Sequence, residues 1–340
     1  MEKRLLLNFV QGELLISKYK DRYNFTNYVF PIVLYFDEFE TRSPLSSHAG
    51  KESLGAVDIS FICAPPQLSG KLRNILVSEI FHSETLKSSC YGLFFKTCIE
   101  EINLASKEEV IVDIDGIEQR AYFPCVSLVG DNKAINGTSG FSEGFAANFY
   151  CRHCKCSNTL CQKLTCEYVQ LLRTPSNYQS DLLLDDFKTT GIKERCIFND
   201  LYLFNVTENI SVDIAYDIFE GVAAFTRSKV FTELVKNDAS LLEIINNRID
   251  GVLYNKIEKP NKPRMPNKQR IVSMIGKKGS SKIKIKQSAA ELLCLTRYLG
   301  LMIGDLVSPD NPAWELYLLL RKIIRIITSP RIHCDAVAAS

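Results

Sequence analysis

The 340-residue chain contains no stretch of about 18 consecutive apolar residues, so nothing in it predicts a membrane-spanning helix. It has no internal repeat, which argues against solenoid and propeller architectures. It also has no long low-complexity tract, and with 46% hydrophobic and 24% charged residues it has the composition of a globular protein with a real core. Tryptophan occurs once, at Trp314, and histidine four times. A secretory signal is missing too. The opening MEKRLLLNFVQGELLISKYK interrupts its apolar run with Asn8, Gln11 and Glu13, and no small-residue cleavage site follows. The chain therefore reads as intracellular, where thiols stay reduced and clustered cysteines bind metal more often than they form disulfides. On that reading the Asn-x-Ser/Thr sequons at Asn24, Asn136, Asn205 and Asn209 are coincidental.

The net charge is small, +2, but it is unevenly spread. Between Lys256 and Lys286, 11 Lys or Arg face one acid, Glu258, leaving the rest of the chain with a net excess of eight negative charges. The same segment, KIEKPNKPRMPNKQRIVSMIGKKGSSKIKIK, is rich in Pro, Asn, Gly and Ser and reads as a loop. Two readings of it stand: a solvated linker, or an arm in which Lys277, Lys278, Lys282, Lys284 and Lys286 contact phosphates and gain affinity by releasing counterions.

Hydrophobic patterning predicts strands over 31–37 (PIVLYFD) and 55–65, and helices over 71–82 and 89–104. The second of these helices places Phe94, Phe95, Cys98 and Ile102 on one face. EEVIVDIDGIEQRAYF predicts a hairpin turning at Asp115-Gly116, followed by a strand that ends on Asp131. Helices are predicted over 214–235, 287–305 and 312–328. Strands, a helix, more strands and then helices make an α/β domain with a long irregular insertion.

Asp37 and Asp131 each close an apolar strand. Carboxylates on neighbouring strand ends can share a divalent cation, and an all-oxygen donor set suits Mg²⁺ or Mn²⁺. Two such ions about 4 Å apart can activate water and stabilise the leaving oxygen of a phosphodiester. The plainer reading of each Asp is a turn former or helix cap. On an ideal helix Asp213, Asp217 and Glu220 share one narrow face, opposite a core stripe of Ile214, Ile218, Val222 and Phe225. An acidic face is also what an ordinary solvated helix shows. Glu291, inside the apolar QSAAELLCLTRYL, is the rival third acid, with an ion pair to the preceding basic segment as its plainer role.

Five of the 12 cysteines fall within FYCRHCKCSNTLCQKLTC, residues 149–166. Cys151-x2-Cys154 has the spacing with which two thiolates grip one tetrahedral Zn²⁺. Cys156, Cys161 and Cys166 are candidates for the remaining ligands, and His153 is poorly placed between the pair. The segment is short of apolar residues, so a metal would be its main source of order, making the zinc structural. Buried, unliganded cysteines are the alternative.

PIVLYFDEFETRSPLSSHAGKESLGAVDIS, SLVGDNKAINGTSGF, NFYCRHCKCSNTLCQ and NVTENISVDIAYDIFEGV, in that order, resemble transposases of CACTA (EnSpm)-type DNA transposons, especially the animal branch. The C-terminal KIKQSAAELLCLTRYLGLMIGDLVSPDNPAWELYLLLRKIIRIITSPRI is similar to that branch as well, so the resemblance runs from about residue 30 to 333. It implies a ribonuclease H-like core, a mixed sheet flanked by helices, carrying a three-acid, two-metal site that nicks DNA and joins strands. Asp37 matches the first acid, Asp131 the second and Glu220 the third, while Cys151 and Cys154 match the zinc pair. The implied organisation is a lead-in at 1–28, a first core segment at 29–145, a cysteine-rich zinc-knuckle insertion at 146–205, a helical segment completing the core at 206–250, a basic loop at 251–286 and a helical part at 287–340.

Two departures accompany the resemblance. Related sequences carry a histidine where this chain has Tyr216, and an N-terminal DNA-binding region is expected to be absent, as in a truncated or transposon-derived protein. If that histidine is a zinc ligand, Cys156 or Cys161 must complete the metal site. The expected function is metal-dependent DNA cleavage and strand transfer in the nucleus, on transposon ends, by a homo-oligomer that needs no membrane and no small-molecule substrate. The alternatives are a catalytically inactive, transposon-derived DNA- or protein-binding protein, and a zinc-stabilised scaffold that never touches nucleic acid.

Overall fold

A computed structural model describes residues 5–6, 12–23, 28–40, 53–82, 94–237, 240–256, 258–264 and 287–333. The chain divides into two compact units: a sheet unit, residues 8–212, and a helical unit formed by residues 1–7 and 213–340. Among the described residues no helix is long and apolar enough to cross a membrane.

The sheet unit is built on a mixed four-stranded sheet. β1 (Ile32–Glu40), β2 (Ser53–Phe61) and β3 (Ile75–His82) pair antiparallel in sequence order. After α2 (Lys96–Lys107), which follows α1 (Glu13–Tyr19) in the chain, come the hairpin strands β4 (Val110–Ile114) and β5 (Ile117–Tyr122), then β6 (Cys125–Gly130). β6 joins the main sheet parallel to β1, giving the order β3-β2-β1-β6. Beyond β6 a parallel bridge pairs Leu128 with Ile210, adding a fifth position to the sheet.

Alternation along the strands decides what lies where. Leu34, Phe36, Val57, Phe81 and Leu128 point into one core, where they meet Phe95, Cys98, Ile99 and Ile102 on and before α2. Those helix residues are the ones whose spacing predicted a buried face, with Phe94 packed partly against them. The opposite face is covered at one end by α1 and the turn after it, through Leu15, Tyr19 and then Tyr23 against Val126 and Val33. Tyr19 donates to the Cys125 carbonyl at 3.3 Å and Tyr23 to the Ser106 carbonyl at 2.9 Å, so these buried phenols are satisfied.

The hairpin turns where the sequence places it. Asp115 (φ 54°) and Gly116 (φ 80°) both adopt the left-handed backbone that a two-residue hairpin turn requires. The helix expected over 71–82 is instead a short 3₁₀ turn at Leu72–Asn74 followed by β3. The i, i+3, i+4 spacing of Leu72, Ile75 and Leu76 fits a helix, but pairing with β2 outweighs it. As an edge strand, β3 leaves Leu76, Val77 and Ile80 exposed.

In the helical unit, a π-helical segment (Ile214–Ala223) runs directly into α5 (Ala224–Asn237), which is followed by α6 (Ser240–Gly251). In the sheet unit, α3 (Asn132–Thr138) and α4 (Pro175–Leu184) come before these in the chain. α7 (Ala289–Ile303) and α8 (Pro312–Ile327) complete the unit. Their shared core holds Phe231, Leu242, Ile245, Leu299, Trp314 and Tyr317. The expected stripe of Ile214, Ile218, Val222 and Phe225 is not the buried one, because i→i+5 bonding rotates the side chains away from α-helical positions. Ile214, Val222 and Phe225 are exposed, while Ile218, Phe219, Ala223 and Ala224 pack inward.

Candidate functional site

The last paired residues of β1 and β6 are Phe36 and Gly130. Asp131 follows just past the end of β6, but Asp37 does not close its strand as the sequence suggested, because pairing with β2 carries β1 on to Glu40; the two strands run about 4.8 Å apart. The close pairing depends on Gly130, since a Cβ there would run into the Phe36 carbonyl oxygen. Asp131 also begins α3, and its Oδ1 accepts from the Ala134 N–H at 2.6 Å. The capping role is therefore real and uses one of its two carboxylate oxygens. Asp37 is half-buried, with the Tyr35 hydroxyl 3.4 Å from its Oδ2.

A third carboxylate, not singled out from the sequence, shares this surface. Asp58 on β2 is the register partner of Tyr35, which places it diagonally beside Asp37 on the same face. Burial, reinforced by the Asp37 charge, pushes its carboxyl above the usual range. The pairing of β2 with β3 shifts register between Val57 and Asp58, a bulge of the kind that re-aims a side chain. Strand alternation puts Asp58 on the face opposite Val57. Only the β1–β2 register brings it to Asp37.

The acids of the helical unit have other partners. Asp213 caps the π-helical segment, its Oδ1 accepting from the Tyr216 N–H at 3.0 Å, and its own N–H donates to Asp217 Oδ2 at 3.2 Å. Glu220 is exposed. Glu291 accepts from the Ser288 N–H at 2.9 Å in a reciprocal capping box at the start of α7 and lies 3.7 Å from Arg264 Nε. The plainer role, an ion pair with the basic segment, is thus present. Glu220 and Glu291 line one cavity of about 460 Å³ with Phe219, Arg227, Gln287 and Ser288. Arg227, buried there, donates to Gln287 Oε1 at 2.6 Å, and desolvation lowers its pKa to about 10. Lys277, Lys278, Lys282, Lys284 and Lys286 lie outside the described residues.

The cysteine-rich segment is held by backbone pairing. Lys155 N–H donates to the Leu171 carbonyl at 2.7 Å and Arg173 N–H to the His153 carbonyl at 2.9 Å, with Cys154 bridged antiparallel to Leu172. Ser157 caps the short helix Asn158–Cys161. Four thiols meet here. Cys151 hydrogen-bonds to Cys154, and Cys161 reaches both Cys154 and Cys156. Donation to Cys154, then burial, raises the Cys151 pKa, and the same bond lowers that of Cys154. Burial and the Cys156 contact push Cys161 up to about 11. Cys166 is exposed. These are soft donors in hydrogen-bonding reach of one another, a donor set that suits zinc. As the side chains stand, no group of three or more His, Cys, Asp or Glu among the described residues could hold a metal ion.

Arg152, buried inside the Cys151-x2-Cys154 turn, donates through Nη1 to Asn132 Oδ1 at 2.7 Å and Asn136 Oδ1 at 3.3 Å, and through Nη2 to the Ser211 carbonyl at 3.0 Å. It ties the cysteine-rich segment to α3 directly after Asp131. The chain matches no family model and no curated protein.

Proposed function

We propose that the chain is a CACTA transposase-like protein whose sheet unit is a ribonuclease H-like core that binds Mg²⁺ or Mn²⁺ for DNA strand cleavage and strand transfer. The observation that carries this reading is the Phe36–Gly130 pairing, which sets Asp37, inside β1, beside Asp131, just past the end of β6. The strand order β3-β2-β1-β6, antiparallel on one side of β1 and parallel on the other, is the kind of mixed sheet the reading calls for.

Asp37 and the uncapped oxygen of Asp131 offer hard donors from two strands, and Asp58 adds a third carboxylate on the Asp37 side. When bound, the metal supplies an activated water or 3′-hydroxyl and stabilises charge on the phosphodiester. The protein's part is to hold the carboxylates in register, which Gly130 and the α3 cap do. Glu220 is the third acid in this proposal, with Glu291 the alternative. DNA is the partner, in the nucleus, with self-association implied by the family. Cys151, Cys154, Cys156 and Cys161 hold a structural zinc.

A second reading, a catalytically inactive transposon-derived binding protein, is favoured by one observation: Asp131 and Glu291 are both engaged in helix caps. A Mn²⁺ titration of the purified protein, compared with Asp37→Asn and Asp131→Asn, separates the two. Binding abolished by both substitutions supports the catalytic reading. A folded protein that takes up no Mn²⁺ overturns it in favour of the second.

A further inference from the structure

We propose that Arg173 is the positioning and charge-compensating residue of the four-thiol site, holding the Cys151-x2-Cys154 turn in place and offsetting the negative charge of its zinc complex. This rests on the reading of Cys151, Cys154, Cys156 and Cys161 as zinc ligands.

Four thiolates around one Zn²⁺ leave two net negative charges. Burying that charge costs several kcal/mol unless a cation lies close. The Arg173 side chain is only 1% exposed, and every side of it is engaged. Nε donates to the Cys151 carbonyl at 3.2 Å, Nη2 to the Thr190 carbonyl at 2.6 Å, and Nη1 to Asp181 Oδ2 at 3.4 Å. The guanidinium also stands over the Phe141 ring, 5.2 Å from its centroid. Its backbone N–H holds the His153 carbonyl, in the middle of the Cys151-x2-Cys154 turn.

Asp181 is shared. Its Oδ1 accepts from Lys155 Nζ at 2.7 Å, and Lys155 lies between Cys154 and Cys156. Two cations and one carboxylate leave one net positive charge beside the thiols. An ion pair placed only to stabilise the fold would not need the Cys151 carbonyl, nor a second cation on the same carboxylate.

The test is zinc affinity of the full chain, measured by competition with a chromogenic chelator, alongside thermal unfolding. Arg173→Gln is expected to weaken zinc binding about 10- to 100-fold, the range seen when outer-shell partners of a metal site are removed. Arg173→Lys, which restores the charge without the fork of hydrogen bonds, should recover part of that loss. Asp181→Asn leaves the cation less neutralised, so it should lower stability without weakening zinc binding. If Arg173→Gln does not fold, the Lys and Asn variants carry the test between them. Wild-type affinity in Arg173→Gln would overturn the proposal, as would equal weakening by Asp181→Asn and Arg173→Lys, which is the pattern of a purely structural ion pair. A wild-type protein that binds no zinc would overturn the zinc reading itself, and this proposal with it.

Discussion

Arg152 Nη1 donates to the side-chain oxygen of Asn132 at 2.7 Å, linking the residue after Cys151 to the residue after Asp131. Two segments about twenty positions apart in sequence are joined by a buried guanidinium that also holds Asn136 and the Ser211 carbonyl. Replacing Arg152 with Leu should strand these acceptors and cost about 3 kcal/mol or more, because removing one partner of a buried charged hydrogen bond leaves the others desolvated. Urea denaturation monitored by circular dichroism measures this. A loss under 1 kcal/mol would mean that Arg152 does not hold the two segments together.

Gly130 is the second point of sensitivity. Gly130→Ala pushes a methyl into the Phe36 carbonyl and should destabilise by about 1–3 kcal/mol, the usual cost of overpacking. Gly144, with nothing within 4 Å of its built Cβ, is the control, and Gly144→Ala should change stability by about 0.5 kcal/mol at most. Equal effects at the two sites would argue against a tight β1–β6 approach.

The two roles of Asp131 are separable. Asn caps helices as well as Asp does, so Asp131→Asn should keep the stability of wild type and lose Mn²⁺ binding. Asp131→Ala should lose both, with about 1 kcal/mol of stability going with the cap. Mn²⁺ binding retained by Asp131→Asn would assign this residue to capping alone.

Asp58 predicts a pH dependence. Its folded-state pKa lies above the ordinary carboxyl value, so the stability it contributes is full below the unfolded pKa and is lost as pH rises through the folded one. Asp58→Asn removes that loss and should raise the melting temperature at pH 7 while changing it little at pH 3. Asp37→Asn should move the Asp58 titration downward, a shift readable by NMR of the carboxyl carbon. An unchanged Asp58 titration would show that the two carboxylates do not interact.

Glu220 and Glu291 give opposite signatures. Glu220 is exposed, so Glu220→Gln should leave stability within about 0.5 kcal/mol of wild type and abolish DNA cleavage if it is the third acid. Glu291→Ala should cost about 1 kcal/mol through the capping box at α7. Cleavage lost only in the Glu291 variant would reverse the assignment.

Much of the frame was legible in the sequence because its local signals agreed with the fold. The Asp115-Gly116 turn, the strand ending at Asp131 and the buried face of α2 all follow from spacing and turn chemistry. β3 was not legible, since Leu72, Ile75 and Leu76 repeat as a helix would, and only long-range pairing with β2 draws Ile75 and Leu76 into a strand. The stripe over 214–225 failed for another reason, a change of helical winding that no residue type announces. Asp58 was hidden because its role depends on the register between two strands. Of the acids, Asp131 does stand at a strand end, whereas Asp37 lies inside β1 because long-range pairing with β2 extends that strand to Glu40, and the cap on Asp131 and the capping box of Glu291 are visible only once their N–H partners are placed.

Trp314 is the chain's sole tryptophan, and it lies in the core of the helical unit with Tyr317 at 4.7 Å between ring centroids. Excitation at the red edge of the absorption band, where tyrosine is silent, therefore lights up one half of the molecule and leaves the sheet unit dark. Emission from that indole and far-ultraviolet dichroism of the whole chain are two separate clocks. Transitions that coincide would reveal a single cooperative event, and transitions that part company would time the melting of each half without any added label.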